Sequence, residues 1–534
     1  MRLDKVYIDG FKNLKQLEVD FDETKLTTVL IGQNGAGKSN LIEALAIIFR
    51  HVDLRTAALR FRFRVLYRIQ PRKAKTGAFA TVVLSNMPDE PSIEIDGKAV
   101  TRAEFERNKA EWFPDMVLGY HSGNGRRLEQ VFDKHQINYY KAIARNNDEE
   151  ACFQALLTRR MFYCRHVHGV MALLAQFAFP EKEADQLLNE VVQVTGFHSA
   201  LALFREPWYA KGGREKKLQD ANIFWGADGP AGRATHLLKS LAFHPFGLTG
   251  NAVDDYRDKR QDEAQFAVFL REPSVISSLK EAYSDDADLF FALEALDVSD
   301  LIRELNVWVT RKNDSTGEIE YTDLSDGERQ LLMVMGLLRI ARGKRVLVLL
   351  DEPDTHLNPH WQHSYLRLIE RWTGSAADAD NCHIVLTSHN PLTISALSRR
   401  EVRVLTQHDD GHVTAEAPYA DPMGLGFTST LTEIFGLSTS LDMGTQKLLD
   451  ERNELEQKAA LTNEETKRLA EVSDQLARLG FLFDSREPLY KDFLKSWHDV
   501  RYANRPPLSA SQAHMRREAM KAVLNKLMKK QEAS

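Results

Sequence analysis

Only three cysteines, Cys152, Cys164 and Cys382, stand among 534 residues, odd in number and unpaired in spacing. A disulfide framework is thereby excluded, and a reducing compartment such as the cytoplasm is expected. No apolar stretch approaches the ~18 residues that a bilayer crossing needs, and no N-terminal segment combines the charged, apolar and small-residue parts of a secretory signal. A soluble, cytoplasmic chain without membrane contact is the expectation. Nor is there an excess of one charge, since 70 basic side chains against 76 acidic ones give a formal net charge of −6. Bulk electrostatics announce no nucleic-acid binder, so any such surface has to be local. The length predicts at least two compact units, at about one per ~150 residues.

What is present is concentrated in a few motifs. Gly32 to Ser39 reads GQNGAGKS, with Gly32, Gly37, Lys38 and Ser39 at the spacing of a phosphate loop and Asn34, Gly35 and Ala36 between them. In that pattern backbone N–H groups cradle phosphates, the lysine reaches the outer ones and the hydroxyl holds Mg²⁺. The flanks agree: Leu26, Val29, Leu30 and Ile31 predict a buried strand, and Asn40 to Leu45 opens a helix whose N-terminus points at the phosphates.

Before the loop, Val6, Ile8 and Phe11 and then Leu17, Val19 and Phe21 predict two strands. After it, residues 50–75 carry nine basic residues against one acid, Asp53. Arg60, Arg62, Arg64 and Arg68 alternate with Phe61, Phe63, Val65 and Tyr67, so an extended strand buries the aromatic face and presents an arginine row. That row either follows a nucleic-acid backbone or is a solvated face paired with acids from elsewhere. Further strands are predicted within Val82–Ile95 and Trp112–Tyr120, followed by the turn His121 to Gly125. From about Glu129 to Val309 the pattern is mostly helical, with Met161–Phe179 as a core helix. Cys164, His166 and His168 on that helix lack metal-ligand spacing and are read as packing residues.

A hairpin is predicted from Leu305–Val309 and Ile319–Tyr321, leading into Leu324-Ser325-Asp326-Gly327-Glu328-Arg329-Gln330 and an apolar helix to Ile340. The continuous apolar strand Val346–Leu350 ends in Asp351-Glu352-Pro353, and the strand Ile384–Thr387 ends in Ser388-His389-Asn390. Strand ends of this kind converge on one crevice in open α/β sheets. Val402–Val413 predicts another hairpin. Beyond it, Thr462 with Glu465 caps one arm of a short helical hairpin, and a last amphipathic helix carries Met520, Val523, Leu524, Leu527 and Met528 within a basic tail.

Phosphoryl transfer needs phosphates held, Mg²⁺ held and a water oriented in line. Lys38 serves the first need, Ser39 and Asp351 the second, and Glu352 the third, with His389 placed to sense the terminal phosphate. The segment around Ser325 resembles the signature motif of ABC-type ATPases in the SMC, RecF and OLD branch, and Asn34 and Asn40 suit that branch. The resemblance implies an α/β fold: a bilobal ATPase head with a mixed sheet, interrupted by a large helical insertion, plus a C-terminal helical region. Residues 1–128 and 305–425 would form the two lobes, 129–304 the insertion and 426–534 the C-terminal hairpin and tail. It further implies ATP with Mg²⁺ as ligands and a head-to-head homodimer in which Ser325, Gly327 and Glu328 of one copy close over nucleotide held by the other. Asp354 to Pro359 resembles the loop that crosses such an interface, and Lys12 and Asn13 match the hairpin that approaches the nucleotide. The turn at His121 to Gly125 sits where that branch has a glutamine and offers none.

The modest insertion and the Glu-Pro-Asp-Thr-His-Leu-Asn-Pro run resemble bacterial anti-phage defence ATPases, those of Septu-type systems above all. An ATPase subunit gating a separate HNH-type nuclease is what this implies, because no acidic nuclease set follows His389. The alternative is a RecF-like or SMC-like repair ATPase that clamps DNA.

Overall fold

The computed structural model describes residues 1–73, 77–145, 149–207, 224–251, 262–373, 381–437, 439, 441–458, 461–479, 515 and 518–519. Lys75 and the helical face from Met520 to Met528 lie outside them. In chain order the strands are β1 (Arg2–Asp9), β2 (Leu17–Asp20), β3 (Thr27–Gly32), β4 (Arg62–Ile69), β5 (Ala80–Ser85), β6 (Ile93–Ile95), β7 (Lys98–Ala99), β8 (Met116–His121) and β9 (Met161–Tyr163). They continue as β10 (Val194–Arg205), β11 (Phe246–Asn251), β12 (Asp262–Leu270), β13 (Ile302–Arg311), β14 (Asp314–Glu320), β15 (Val346–Asp351), β16 (Cys382–Thr387), β17 (Val402–Gln407) and β18 (Val413–Glu416).

They form three sheets. The central one has the order β18-β17-β3-β16-β15-β8-β9 and is parallel except at its β18 edge. β3, β15 and β16 are buried at every position, as strands covered on both faces must be. Val29, Ile31, Val348, Leu350, Ile384 and Leu386 face the helices His166–Ala178 and Asp326–Ile340. Leu30, Leu347, Leu349 and Val385 face the helix Lys38–Leu54, which is wedged against the second sheet. Covered on both sides, that helix fully buries Leu41, Ile42, Leu45, Ile48 and Phe49. The second sheet, β2-β1-β4-β5-β6-β7, is antiparallel and supplies the alternating pattern read from the N-terminal strands.

The third sheet, β11-β12-β10-β13-β14, corrects the expectation of a helical insertion. Residues 129–304 do contain helices, but β9 joins the central sheet and β10 to β12 join the hairpin β13–β14, so one sheet runs across the expected boundary at 304 and 305. The physical reason lies in β10: Ala200, Ala202 and Phe204 alternate inward among alanines and leucines, whose intrinsic preference is helical, and cross-strand pairing overrides it. The expected core helix Met161–Phe179 likewise divides into β9 and a helix from His166, because the Cys164 N–H bonds the Gly119 carbonyl and holds the chain beside β8. That helix crosses Asp326–Ile340 closely, Gly336 lying against Ala172 with no room for a side-chain carbon. At the C-terminal end, Met443–Glu456 and Asn463–Arg478 form the helical hairpin over a small core of Leu449, Val472 and Leu476.

Candidate functional site

Parallel pairing sets the site. In the strand register Asp351 lies opposite Thr387 on β16 and opposite His121 on β8, and Thr387 lies opposite Leu30, two residues before the loop leaves β3. Four adjacent strands therefore end on one edge with their last side chains side by side.

Asp351 is the hub. Its Oδ1 accepts from Ser39 Oγ at 2.8 Å and from Thr387 Oγ1 at 2.7 Å, and its Oδ2 lies 3.1 Å from His121 Nδ1 in an ion-pair contact that is off-line for a hydrogen bond. Burial alone would raise its pKa. His121, Thr387 and Ser39 outweigh that and hold Asp351 below the usual carboxylate value, so it is an anion. His121 is shifted upward, by the same Asp351 contact against the opposing effect of burial. An anionic carboxylate oxygen and a hydroxyl 2.8 Å apart are donors of the kind Mg²⁺ takes.

The glycine loop wraps a lysine. Lys38 is nearly buried, and its Nζ donates to the carbonyls of Gly32 at 2.9 Å and Gln33 at 3.1 Å. Burial pulls its pKa down to about 8, although Glu352 and Asp351 act to raise it. Gly37 caps the following helix at φ 100°, where a β-carbon would meet Leu14 and Asn13. The first turn of this helix has neither a side-chain cap nor an acidic residue, which leaves its N–H groups and dipole to an anion. Asn13 braces the loop: its amide donates to the Gly35 carbonyl at 2.6 Å, and its carbonyl accepts from Asn40 Nδ2 at 2.7 Å. Lys12 instead reaches Glu43 at 2.6 Å. Asn34 and Ala36 lie within the same loop, Ala36 buried and Asn34 exposed.

Glu352 follows Asp351 with φ 54°, a left-handed conformation unusual for a side chain of its size, and its N–H donates to Thr387 Oγ1 at 2.9 Å. Its carboxylate meets His389 Nε2 at 3.2 Å. Burial, and then the charge of Lys38, lower the pKa of His389. Lys38, Ser39, Asp351, Glu352 and His389 are thus one cluster. Beyond it, Asp354 is buried and accepts from Ser388 Oγ at 2.6 Å and from Thr393 Oγ1, which fastens the turn after β15 to the end of β16.

Ser325, Gly327 and Glu328 have other company. Ser325 Oγ accepts from the Glu328 N–H at 3.3 Å and the Glu328 carboxylate answers at the Ser325 N–H at 2.8 Å, a reciprocal cap that starts the helix. Glu328 also pairs with Arg311. A β-carbon on Gly327 would lie 2.5 Å from the His356 carbonyl, and the His356 N–H donates to Gln330 Oε1 at 3.3 Å. The signature segment is therefore packed onto the turn that Asp354 fastens. Three of the four arginines of the row have protein partners, and Arg60 is exposed ahead of β4: Arg68 holds Asp4 at 2.8 Å and Glu23 at 3.0 Å, Arg64 holds Glu90 at 3.3 Å, and Arg62 donates to the Asn86 carbonyl. His168 is buried, takes the Arg165 N–H on Nδ1 at 3.1 Å and packs on Phe162, so it is a core residue. His121 and Thr387 belong to the site without having been singled out from the sequence. A histidine or threonine ending a β-strand carries no local mark, and only their place in the register exposes them.

Two regions match protein-family models, residues 1–150 one described as "AAA ATPase domain" and residues 229–395 one described as "AAA domain, putative AbiEii toxin, Type IV TA system". The "Retron Vc95 probable ATPase" of Vibrio cholerae serotype O1 biovar El Tor is 19% identical over 448 residues, 81% of this chain and 78% of that protein. The "DNA replication and repair protein RecF" of Rickettsia canadensis (strain McKiel) is 37% identical over 57 residues, only 11% of this chain and 15% of RecF. Solved structures with similarity include an SMC head bound to the C-terminal winged-helix domain of ScpA, 12% identical with TM-score 0.32 over 78% of this chain and 97% of that one. RecF with an ATP analogue is 13% identical with TM-score 0.28 over 77% and 97%. Among the described residues no helix is long and apolar enough to cross a membrane.

Proposed function

We propose, from an AAA-type ATPase of the SMC and RecF class as premise, that this chain binds ATP with Mg²⁺ in its glycine loop. It hydrolyses the nucleotide between two copies of itself, and so gates a separate HNH-type nuclease in an anti-phage defence complex. The observation that carries the reading is the register that brings Ser39, Asp351 and Thr387 into one hydrogen-bonded set with Glu352 next in line.

Lys38 and the N–H groups of the loop and first helical turn hold the phosphates, and Ser39 with Asp351 hold Mg²⁺. The metal, when bound, withdraws negative charge from the phosphate oxygens. Glu352 takes a proton from the attacking water, and His389, 3.2 Å away, fixes the direction of its carboxylate. Ser325 and Gly327 close over the nucleotide of the second copy. Because Gly327 packs on His356, contact there is felt at the Asp354 turn and hence at the end of β15. The defence role is supported by the printed name of the Vibrio relative, and the nuclease partner by resemblance to Septu-type systems. The alternative of a DNA clamp draws less support, since Arg64 and Arg68 are paired with Glu90, Asp4 and Glu23.

The test is mass in solution. Glu352→Gln keeps every binding group and loses the base, so its mass by light scattering should double with ATP, and Lys38→Ala should show no nucleotide effect. A mass of Glu352→Gln that is indifferent to ATP defeats the sandwich.

A further inference from the structure

The loop that leaves β8 returns to the phosphate-loop helix through one side chain outside the predicted set. Arg127 Nε lies 2.7 Å from Glu43 Oε2, the oxygen that also takes Lys12 Nζ at 2.6 Å. Glu43 is buried and follows Ser39 by four residues on the same helix, so it stands one turn, roughly 6 Å, beyond the hydroxyl on the same face. A bare carboxylate there would repel a triphosphate. Two cations on one oxygen reverse the sign and leave a net positive charge.

Two further observations place Arg127 at the metal end of the site. It stands six residues after His121, whose ring lies 3.1 Å from Asp351. Its side chain is 51% exposed while its Nε stays against Glu43. A half-exposed guanidinium beside the site is suited to take two phosphate oxygens at once, which an ammonium cannot do. The segment that carries it, Ser122-Gly123-Asn124-Gly125, has little side chain to resist a small shift, while Ser122 is anchored to the Asp351 carbonyl through its N–H at 3.1 Å.

We infer that Arg127 is a catalytic residue of the ATP site, donating to the terminal phosphate oxygens as charge builds there, with Glu43 as the positioning residue that holds it. This rests on the ATPase reading above. The bond to phosphorus breaks and forms as in any hydrolysis, and Arg127 adds only charge stabilisation and orientation.

The experiment compares Arg127→Ala, Arg127→Lys and Glu43→Gln with the unaltered chain in steady-state ATP hydrolysis and in the thermal shift produced by ATP and by ADP, each with Mg²⁺. Arg127→Ala should lower kcat at least thirtyfold, leave the melting temperature without nucleotide unchanged, and abolish the excess shift of ATP over ADP. Arg127→Lys should recover less than a tenth of the lost turnover, because the two-point contact is gone. Glu43→Gln should lower kcat about tenfold with Arg127 still present. Arg127→Ala turnover within threefold of the unaltered chain, or an unchanged ATP-over-ADP difference, overturns the inference while leaving the ATPase reading intact. If the unaltered chain neither binds nor hydrolyses ATP, both fall.

Discussion

Replacing Thr387 with valine keeps the volume of a fully buried side chain and removes its hydroxyl. That hydroxyl donates to Asp351 Oδ1 at 2.7 Å and accepts the Glu352 N–H at 2.9 Å, so two bonds go at once. A lost bond to a charged acceptor costs ~1.5–3 kcal/mol and a stranded buried amide ~1–3 kcal/mol. Ser39 and His121 still attend Asp351, and the Glu352 side chain is 33% exposed, so water reaches its surroundings. Both terms then fall at their lower ends, for a total of about 2.5 kcal/mol. A second effect is local: Glu352 at φ 54° stores roughly 1–2 kcal/mol that its amide bond to Thr387 helps to hold. Freed, the backbone relaxes and swings the carboxylate away from His389, and turnover should fall at least tenfold, about 1.4 kcal/mol of barrier. Urea denaturation and ATP turnover of Thr387→Val and Thr387→Ser measure both. The serine form should recover most of each loss, since it restores the hydroxyl and omits one methyl. A valine form within 0.5 kcal/mol of the unaltered chain and with undiminished turnover would refute the reasoning.

Asp115→Ala strips the partner from Arg345, which is buried and otherwise donates to the carbonyls of Gln70, Ala110 and Glu111. The uncompensated cation should cost ~3–5 kcal/mol by urea denaturation, and a loss under 1 kcal/mol would show the pair to be dispensable. His383 is buried and neutral, with Nδ1 accepting the Leu3 N–H at 3.0 Å and Nε2 bonded to Thr28 Oγ1 at 3.1 Å. Burial first, then Arg2, drive its pKa well below 6.5. Below pH 6.5 the unfolded chain therefore binds a proton that the folded one refuses, and stability is lost on acidification by up to ~1.4 kcal/mol per pH unit from this group. His383→Gln should flatten the slope between pH 6.5 and 5, and superimposable slopes would remove His383 from the account.

The phosphate loop, the strand before it and the two acids ending β15 were legible because each is a local pattern with a single backbone solution. A glycine at positive φ, a lysine and hydroxyl opening a helix, and an apolar run too continuous for a one-sided strand need no partner to be read. The signature segment was legible as the lead into an apolar helix, while the reciprocal cap of Ser325 and Glu328 that starts that helix at Asp326 was seen only in the structure. β10 was not, because alanine and leucine lean toward helix, and only β12 and β13 on either side decide otherwise.

By itself, then, the sequence marked the glycine-loop pattern and the apolar runs that form β3, β15 and β16, while β9 and the start of the helix His166–Ala178 escaped it. Only the tertiary structure decided that His121, Thr387 and Asp351 stand abreast, that Arg127 and Lys12 share one oxygen of Glu43, and that Arg64 and Arg68 pair with Asp4 of β1 and with Glu23 and Glu90 of the loops after β2 and β5. The reason is separation along the chain. Asp351 meets Ser39 across 312 positions and Arg345 meets Asp115 across 230, and pairings at that distance are fixed by the register of parallel strands, which no window of sequence contains.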